Sequence, residues 1–300
     1  MKWKKLGLIF SPAGETVWMQ SHAAVPTAEH IGNGYFRIYF SSRDVDNRSF
    51  TGFVVIDITS PQRIVDLSTV PVLSPGQPGE FDDSGAMATW FAQYNGSKFL
   101  YYIGWNLGTT VPFRNSIGLS IGQEDGSFSR YARGPIVDRT ASEPHFCASC
   151  CVIPGSDVWR MWYLSCTHWQ MRNGRPDHCY HIKYAESSNG IDWRREGLVS
   201  IDFAGDDEFA ISRPSVIFDN DRWKMWYSYR GEAYRIGYAE SYDGREWERL
   251  DELAGIDVAD TGWDSEMIEY PFVFDHDGYR YMLYNGNGYG KTGFGMAVLE

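Results

Sequence analysis

Three acids stand where proton chemistry is feasible. Asp83 lies in FDDSGAM (81–87), Glu143 in SEPHFC (142–147) and Glu266 in WDSEMIEYP (263–271). Each precedes a run rich in apolar and β-branched residues, so each would be delivered to the rim of a core element. Carboxyls supply proton transfer or nucleophilic attack. Glycoside hydrolysis uses two of them, about 5–5.5 Å apart for retention and about 6.5–9.5 Å for inversion. Asp83 and Glu266 sit in similar text and could face each other across a mouth. His22, Arg213, Asp264 and Tyr270 stand at comparable run starts, and Arg43, Trp105, Trp169, Arg230 and Asn285 at the ends of the runs that follow. Tryptophan faces stack on sugar rings. Arginine and asparagine bind hydroxyls, and arginine grips a carboxylate or phosphate bidentately. Such groups converging on one hollow would form a site for a small carbohydrate or oligosaccharide.

Most of these residues also have a plainer role open to them. Asp83 and Asp264 suit acceptors of backbone N–H bonds in a turn. Glu143, before Pro144, suits a solvated loop acid. Glu266 has apolar neighbours heading into a strand. Arg213, in ISRPSV, either pairs with a buried carboxylate or meets substrate, and His22 is either a core histidine or a ligand contact.

The elements that position these residues are written as a repeat. WRMWYLS (159–165) and WKMWYSYRG (223–231) are near-copies, with weaker versions at FRIYFSSRD, KFLYYIGWN and YRYMLYNGN. Anchored on Tyr39, Tyr101, Trp162, Trp226 and Leu283, the copies are 62, 61, 64 and 57 residues apart. Each phrase reads as a strand entered through a hairpin signal such as IGNGY, YNGSK or DHDGY. A third strand and a second hairpin follow, as in KYAESSNGIDW and GYAESYDGREW. The spacing predicts an all-β, five-bladed β-propeller with four antiparallel strands per blade. The last unit lacks a fourth strand, and MKWKKLG resembles fourth-strand text, so Trp3–Leu8 is expected to close the last blade. Residues 1–300 then form a single domain. Stretches 106–115 and 166–180 are expected as loops on the face opposite the tight turns, where the site should lie.

Composition narrows the functions. A net charge of −12 with no basic patch argues against nucleic acid as partner. No apolar run is long enough to span a membrane. The N-terminal stretch is too short in apolar residues for a signal peptide, and five cysteines, an odd count, fit a reduced compartment, so a cytoplasmic protein is expected. Cys147, Cys150 and Cys151 read as buried thiols rather than zinc ligands. No cofactor or metal is expected, and the oligomeric state stays open.

A five-bladed propeller of this length with acids at inner-strand starts resembles the propeller glycosidase superfamily of arabinanases, β-xylosidases, invertases, levansucrases and mannoside phosphorylases. The phrases RPSV…MWYS and WDSEM…YNGNGYG are similar to those of an uncharacterised subgroup found among bacterial polysaccharide biosynthesis genes. The resemblance implies three acids, in blades one, two and three. Asp83 matches blade two and Glu143 blade three. Blade one carries Ser21-His22-Ala23 in place of its Asp. A relocated pair, Asp83 with Glu266, would replace it, or His22, Arg43 and Arg213 would bind phosphate for phosphorolysis. The expected function is a glycoside hydrolase-like enzyme cleaving or transferring a glycosidic bond by carboxylate acid/base chemistry. The alternatives are a non-catalytic carbohydrate-binding propeller and an enzyme modifying an acidic or nucleotide-linked sugar.

Overall fold

The computed structural model describes residues 1–14 and 16–300. Among them there is no α-helix, and one short 3-10 turn covers Asp251–Leu253. The first strand is β1 (Trp3–Phe10). Four antiparallel meanders follow: β2 (Ser21–Gly32), β3 (Tyr35–Arg43), β4 (Ser49–Asp57), β5 (Ile64–Leu67); β6 (Gly85–Tyr94), β7 (Ser97–Leu107), β8 (Phe113–Gly122), β9 (Phe128–Arg130); β10 (Cys147–Ile153), β11 (Trp159–Arg172), β12 (Arg175–Ser187), β13 (Val199–Ile201); β14 (Ala210–Asp219), β15 (Arg222–Arg230), β16 (Tyr234–Ser241), β17 (Glu248–Arg249). The last meander is β18 (Glu269–His276), β19 (Tyr279–Asn285) and β20 (Phe294–Leu299), and β1 completes it by pairing antiparallel to β20 from Trp3↔Leu299 to Phe10↔Phe294. Single parallel bridges, Ser49↔Gly85 and Tyr180↔Ala210, join the first meander to the second and the third to the fourth. The first strands contact one another in a closed cycle, β2 to β6, β10, β14, β18 and back to β2.

Two-residue turns shape the meanders. Asn33-Gly34, Asn95-Gly96, Asn220-Asp221 and Asp277-Gly278 all have positive φ, the left-handed pair that matches the twist of a tight hairpin. A fifth such pair, Asn173-Gly174, falls inside the stretch expected as a loop at 166–180. That segment is instead a continuous hairpin, with β11 and β12 paired out to Arg172↔Arg175. The expectation failed because the polar text THWQMRNGRPDH lacks the apolar alternation of a strand. Its extended form is held by the turn and by cross-strand pairing.

Aromatics tie neighbouring meanders together. Tyr101 OH donates to Gly190 O at 2.8 Å, and Trp162 Nε1 to Gly244 O at 2.8 Å, each reaching the last turn of the next unit. Trp162 packs on Trp223 and Trp247, and Trp226 meets Trp3 edge-on at 5.8 Å. The five cysteines are buried and unbridged.

Every first strand has a register irregularity near its middle or start. In three of them a left-handed residue precedes proline: Val25 (φ 56°), Arg213 (φ 52°) and Tyr270 (φ 55°). This conformation is costly for non-glycine residues, and most of all for β-branched Val25. Each is held from the preceding unit of the cycle. The Val25 N–H donates to Asn285 Oδ1 (2.8 Å), that of Arg213 to Ser149 Oγ (3.1 Å) and that of Tyr270 to Ser228 Oγ (2.7 Å). Strain of this kind is retained where the surroundings fix it, and it gathers at functional mouths.

Candidate functional site

A cavity of ≈ 600 Å³ lies where the three strained residues meet. All five meanders contribute to it, through the starts of first strands and the segments that face them. Its wall is mostly apolar and aromatic: Trp105, Phe113, Phe146, Tyr180, Tyr234, Tyr270 and Tyr289. A volume in this range suits a mono- or oligosaccharide. Three arginines line it, Arg43, Arg213 and Arg230, with Asp177 as the carboxylate in the wall.

Five of the residues singled out in the sequence are brought together here: Arg43, Trp105, Arg213, Arg230 and Tyr270. Arg213 is fully buried. Its Nη2 donates to Pro26 O and Thr27 Oγ1, both at 2.8 Å, and its Nη1 to the Thr89 carbonyl. Neither reading offered for it is complete, because its acceptors are backbone and hydroxyl oxygens and no carboxylate ion-pairs with it among the described residues. Burial lowers its pKa to about 10. Trp169 stands outside the lining, edge-on to Phe113 and His178 and tilted against Phe146. His22 hydrogen-bonds Ser21 Oγ beside Arg43, outside the lining. Asn285 is wholly buried and bridges β19 to Ala23 O and the Val25 N–H.

The acids fall elsewhere, for a reason the repeat explains. The second strand of four meanders carries a tyrosine at one register: Tyr102, Tyr163, Tyr227 and Tyr284. Each phenol donates to a carboxylate, and a basic group lies on that carboxylate. Tyr102 and Arg130 meet Asp82; Tyr163 and Arg195 meet Glu143; Tyr227 and Arg249 meet Asp251; Tyr284 and Lys5 meet Asp264. These latches fasten loops to the second strands. The first meander has Phe40 at this register, which has no hydroxyl to donate, and Ser21-His22-Ala23 in place of the acid. Glu143 is thus buried and also accepts from Ser165 Oγ at 2.9 Å. Asp264 is buried under Lys5 Nζ at 2.7 Å. Asp83 accepts from the Gly79 N–H and Ser84 Oγ within its own loop, both at 3.0 Å. Glu266 is exposed, and its carbonyl accepts from Arg235. None of Asp83, Glu143, Glu266 or Asp264 lines the cavity.

Sequence reasoning passed over two acids: Asp177, which lines the cavity, and Glu269, buried behind the lining next to Tyr270. Asp177 Oδ1 lies 3.6 Å from Arg230 Nη2, and the His178 N–H donates to it at 3.0 Å. Glu269 is fully buried, with neither carboxyl oxygen in a hydrogen bond, among the cavity tyrosines. Burial raises its pKa well above the ordinary carboxylate value, with Arg230 and the Tyr270 phenol opposing, so its surroundings favour the neutral form. Tyr180 and Tyr234 join their hydroxyls beside it. A signal for Glu269 did exist: aligning the three X-Pro dipeptides puts Ala24, Ser212 and Glu269 at one register. Asp177 gave none, because its segment reads as a loop.

The two histidines near the cavity are kept neutral. Burial, with Arg230, lowers His178 to about 4, against the pull of Asp177. Burial, with Arg43 and Lys291, lowers His22 to about 4. The unfolded chain takes up these protons near pH 6.5, so stability is complete above that value and is lost as pH falls from about 6.5 toward 4. Equilibrium urea unfolding across this window should show the loss, and His178→Gln should flatten it. An unchanged slope in the variant would place the acid sensitivity elsewhere.

The protein has the β-propeller fold of the glycosidases: it aligns with the crystal structure of a glycosyl hydrolase from Bacteroides ovatus at TM-score 0.75 and 13% identity, over 99% of its own length and 93% of the other's. It aligns equally widely, at TM-score 0.74 and 14% identity over 99% and 93% of the two lengths, with a structure from work on the GH130 family of mannoside phosphorylases and its glycoside hydrolases that target β-1,2 mannosidic linkages in Candida mannan. No protein-family model matches the sequence. The protein belongs to the same family as uncharacterized protein Rv1502 of Mycobacterium tuberculosis strain ATCC 25618 / H37Rv, with 44% identity over 300 residues and the full length of both chains. Among the described residues no group of three or more His, Cys, Asp and Glu side chains is placed to hold a metal ion, and no helix is long and apolar enough to cross a membrane.

Proposed function

We propose that the protein is a single five-bladed propeller domain, residues 1–300, which cleaves or transfers a glycosidic bond in the axial cavity. The cyclic packing of the five first strands and the pairing of β1 with β20 support the architecture. The glycosidase neighbours support the reaction class. One observation carries the assignment of groups: a buried carboxyl, Glu269, adjoins Tyr270 in a cavity wall that also holds Asp177 and aromatic rings. Asp177 is the carboxylate that meets substrate. Glu269 holds a proton next to Tyr270 for delivery toward the leaving oxygen. Two carboxyls in contrasting environments are what acid/base cleavage of an acetal needs. The five different sets of mouth residues also favour one asymmetric site over a lectin-like repeat of equivalent ones.

The test is a panel of aryl α- and β-glycosides and oligosaccharides, with and without inorganic phosphate, followed by NMR of the products. For a substrate so found, Asp177→Asn and Glu269→Gln should each lower kcat at least about 100-fold with the fold intact, the scale of a lost acid or base. Turnover surviving both changes, or binding of glycans without turnover across the panel, would overturn the reading.

A further inference from the structure

The cavity has a charge opposite to that of the whole protein, which carries −12 overall. Its wall holds three guanidinium groups against the single carboxylate of Asp177. Arg43 gives a hydrogen bond to the neutral amide of Asn47, at 2.9 Å, and has no carboxylate within ion-pair distance among the described residues. Arg230 donates to Tyr289 OH at 2.9 Å and lies over the Phe209 and Tyr234 rings. Its Nε and Nη2 are buried without a hydrogen-bond acceptor, Asp177 standing off at 3.6 Å. Arg213 Nε is buried and unpaired as well. The buried Trp105 Nε1 and Ser212 Oγ at the same wall also lack partners. Glu269 stands outside the lining, and its burial disfavours the charged form, as burial does for the histidines His178 and His22. Arg43, Arg230 and Tyr270 all line this one cavity.

Desolvated positive charge facing an apolar-walled space is costly unless the occupant brings a negative oxygen. A neutral sugar hydroxyl satisfies a donor but leaves the charge. A carboxylate or phosphate satisfies both, and the planar fork of arginine suits either. We propose that the sugar bound in this cavity carries a covalently attached anionic group, a carboxylate or a phosphate ester, held by Arg43 and Arg230 beside Tyr270. This rests on the reading of the cavity as a carbohydrate site and adds the class of carbohydrate. Trp105 and the aromatic wall take the sugar ring, and the arginines select for its charge.

The experiment is titration calorimetry on the full-length protein with matched probes: glucose, glucuronate and glucose 6-phosphate; the galactose and mannose equivalents; and inorganic phosphate alone. At least one acidic sugar should bind about 10-fold or more tightly than its neutral partner, and added salt should shrink that preference by screening the arginines. Arg43→Gln and Arg230→Gln should each weaken the acidic sugar at least about 10-fold and leave the neutral one within about twofold, as expected when a charged partner of the ligand is lost. Thermal unfolding shows whether each variant is folded, and Arg43→Gln, at the half-exposed position, serves if Arg230→Gln is not. Neutral sugars binding as well as acidic ones would overturn the inference while leaving the carbohydrate site standing. Inorganic phosphate matching the sugar phosphate would show that the arginines hold a free anion, and would also overturn it. An acidic sugar bound tightly but never cleaved would leave the inference intact and overturn the catalytic proposal.

Discussion

Arg213→Met should cost about 4 kcal/mol of stability and lower the Tm by on the order of 10 °C, whatever the buffer's sugar content. The guanidinium ties three meanders: it sits on β14 and donates to Thr89 on β6 and to Pro26 and Thr27 on β2. Its carbon lies 5.6 Å from the Trp90 ring centre and 5.7 Å from that of Phe272. Methionine fills part of the volume and supplies no donor, so the carbonyls of Pro26 and Thr89 lose a charged partner in a place water does not reach. Removing one side of a buried charged network costs several times more than an exposed ion pair. Arg213→Lys keeps the charge but cannot serve both sets of acceptors, so it should fall between wild type and Arg213→Met. Guanidinium chloride unfolding by tryptophan fluorescence reads the order. A variant within about 1 kcal/mol of wild type, the worth of one ordinary hydrogen bond, would show that the bolt is dispensable.

The second large effect separates latch from catalyst. Glu143→Ala should lose about 3 kcal/mol, because Tyr163 OH (3.0 Å), Ser165 Oγ (2.9 Å) and Arg195 (3.6 Å) are left around an empty, buried space. Tyr163→Phe should lose only about 1 kcal/mol, and the double variant little more than Glu143→Ala alone, since both remove one interaction. Activity of the folded fraction should survive each change. Stability equal to wild type together with lost turnover would reverse the assignment and return Glu143 to the chemistry.

These latches also explain what could and could not be read from the letters. The five-unit period was legible because the aromatic anchors do local work: each packs against the next unit, so each unit must write the same phrase. The closing role of Trp3 to Leu8 was legible because a fourth strand has a recognisable text. The acids were legible as recurrent but not as to purpose. Asp82, Glu143 and Asp264 each stand 20 residues before the tyrosine they bind, a spacing that marks a structural pair only once the strand register is known. Glu266 drew attention by its apolar neighbours, whereas three residues later Glu269 is the one turned into the interior. Asp177 was hidden because a polar segment folds as a hairpin through its Asn173-Gly174 turn. Arginine placement was better anticipated, since Arg43, Arg213 and Arg230 end or start strands at fixed points of the repeat.

The pairing of β1 with β20 has a consequence for synthesis. Among the described strands, β1 is made first and its partner β20 last. Until residues 294–299 emerge, Trp3, Ile9 and Phe10, all buried in the finished molecule, have no sheet to join. Closure over such a sequence separation is slow, and an unpaired edge invites pairing with other molecules. A nascent or truncated polypeptide lacking β20 should therefore be sticky at its opposite end.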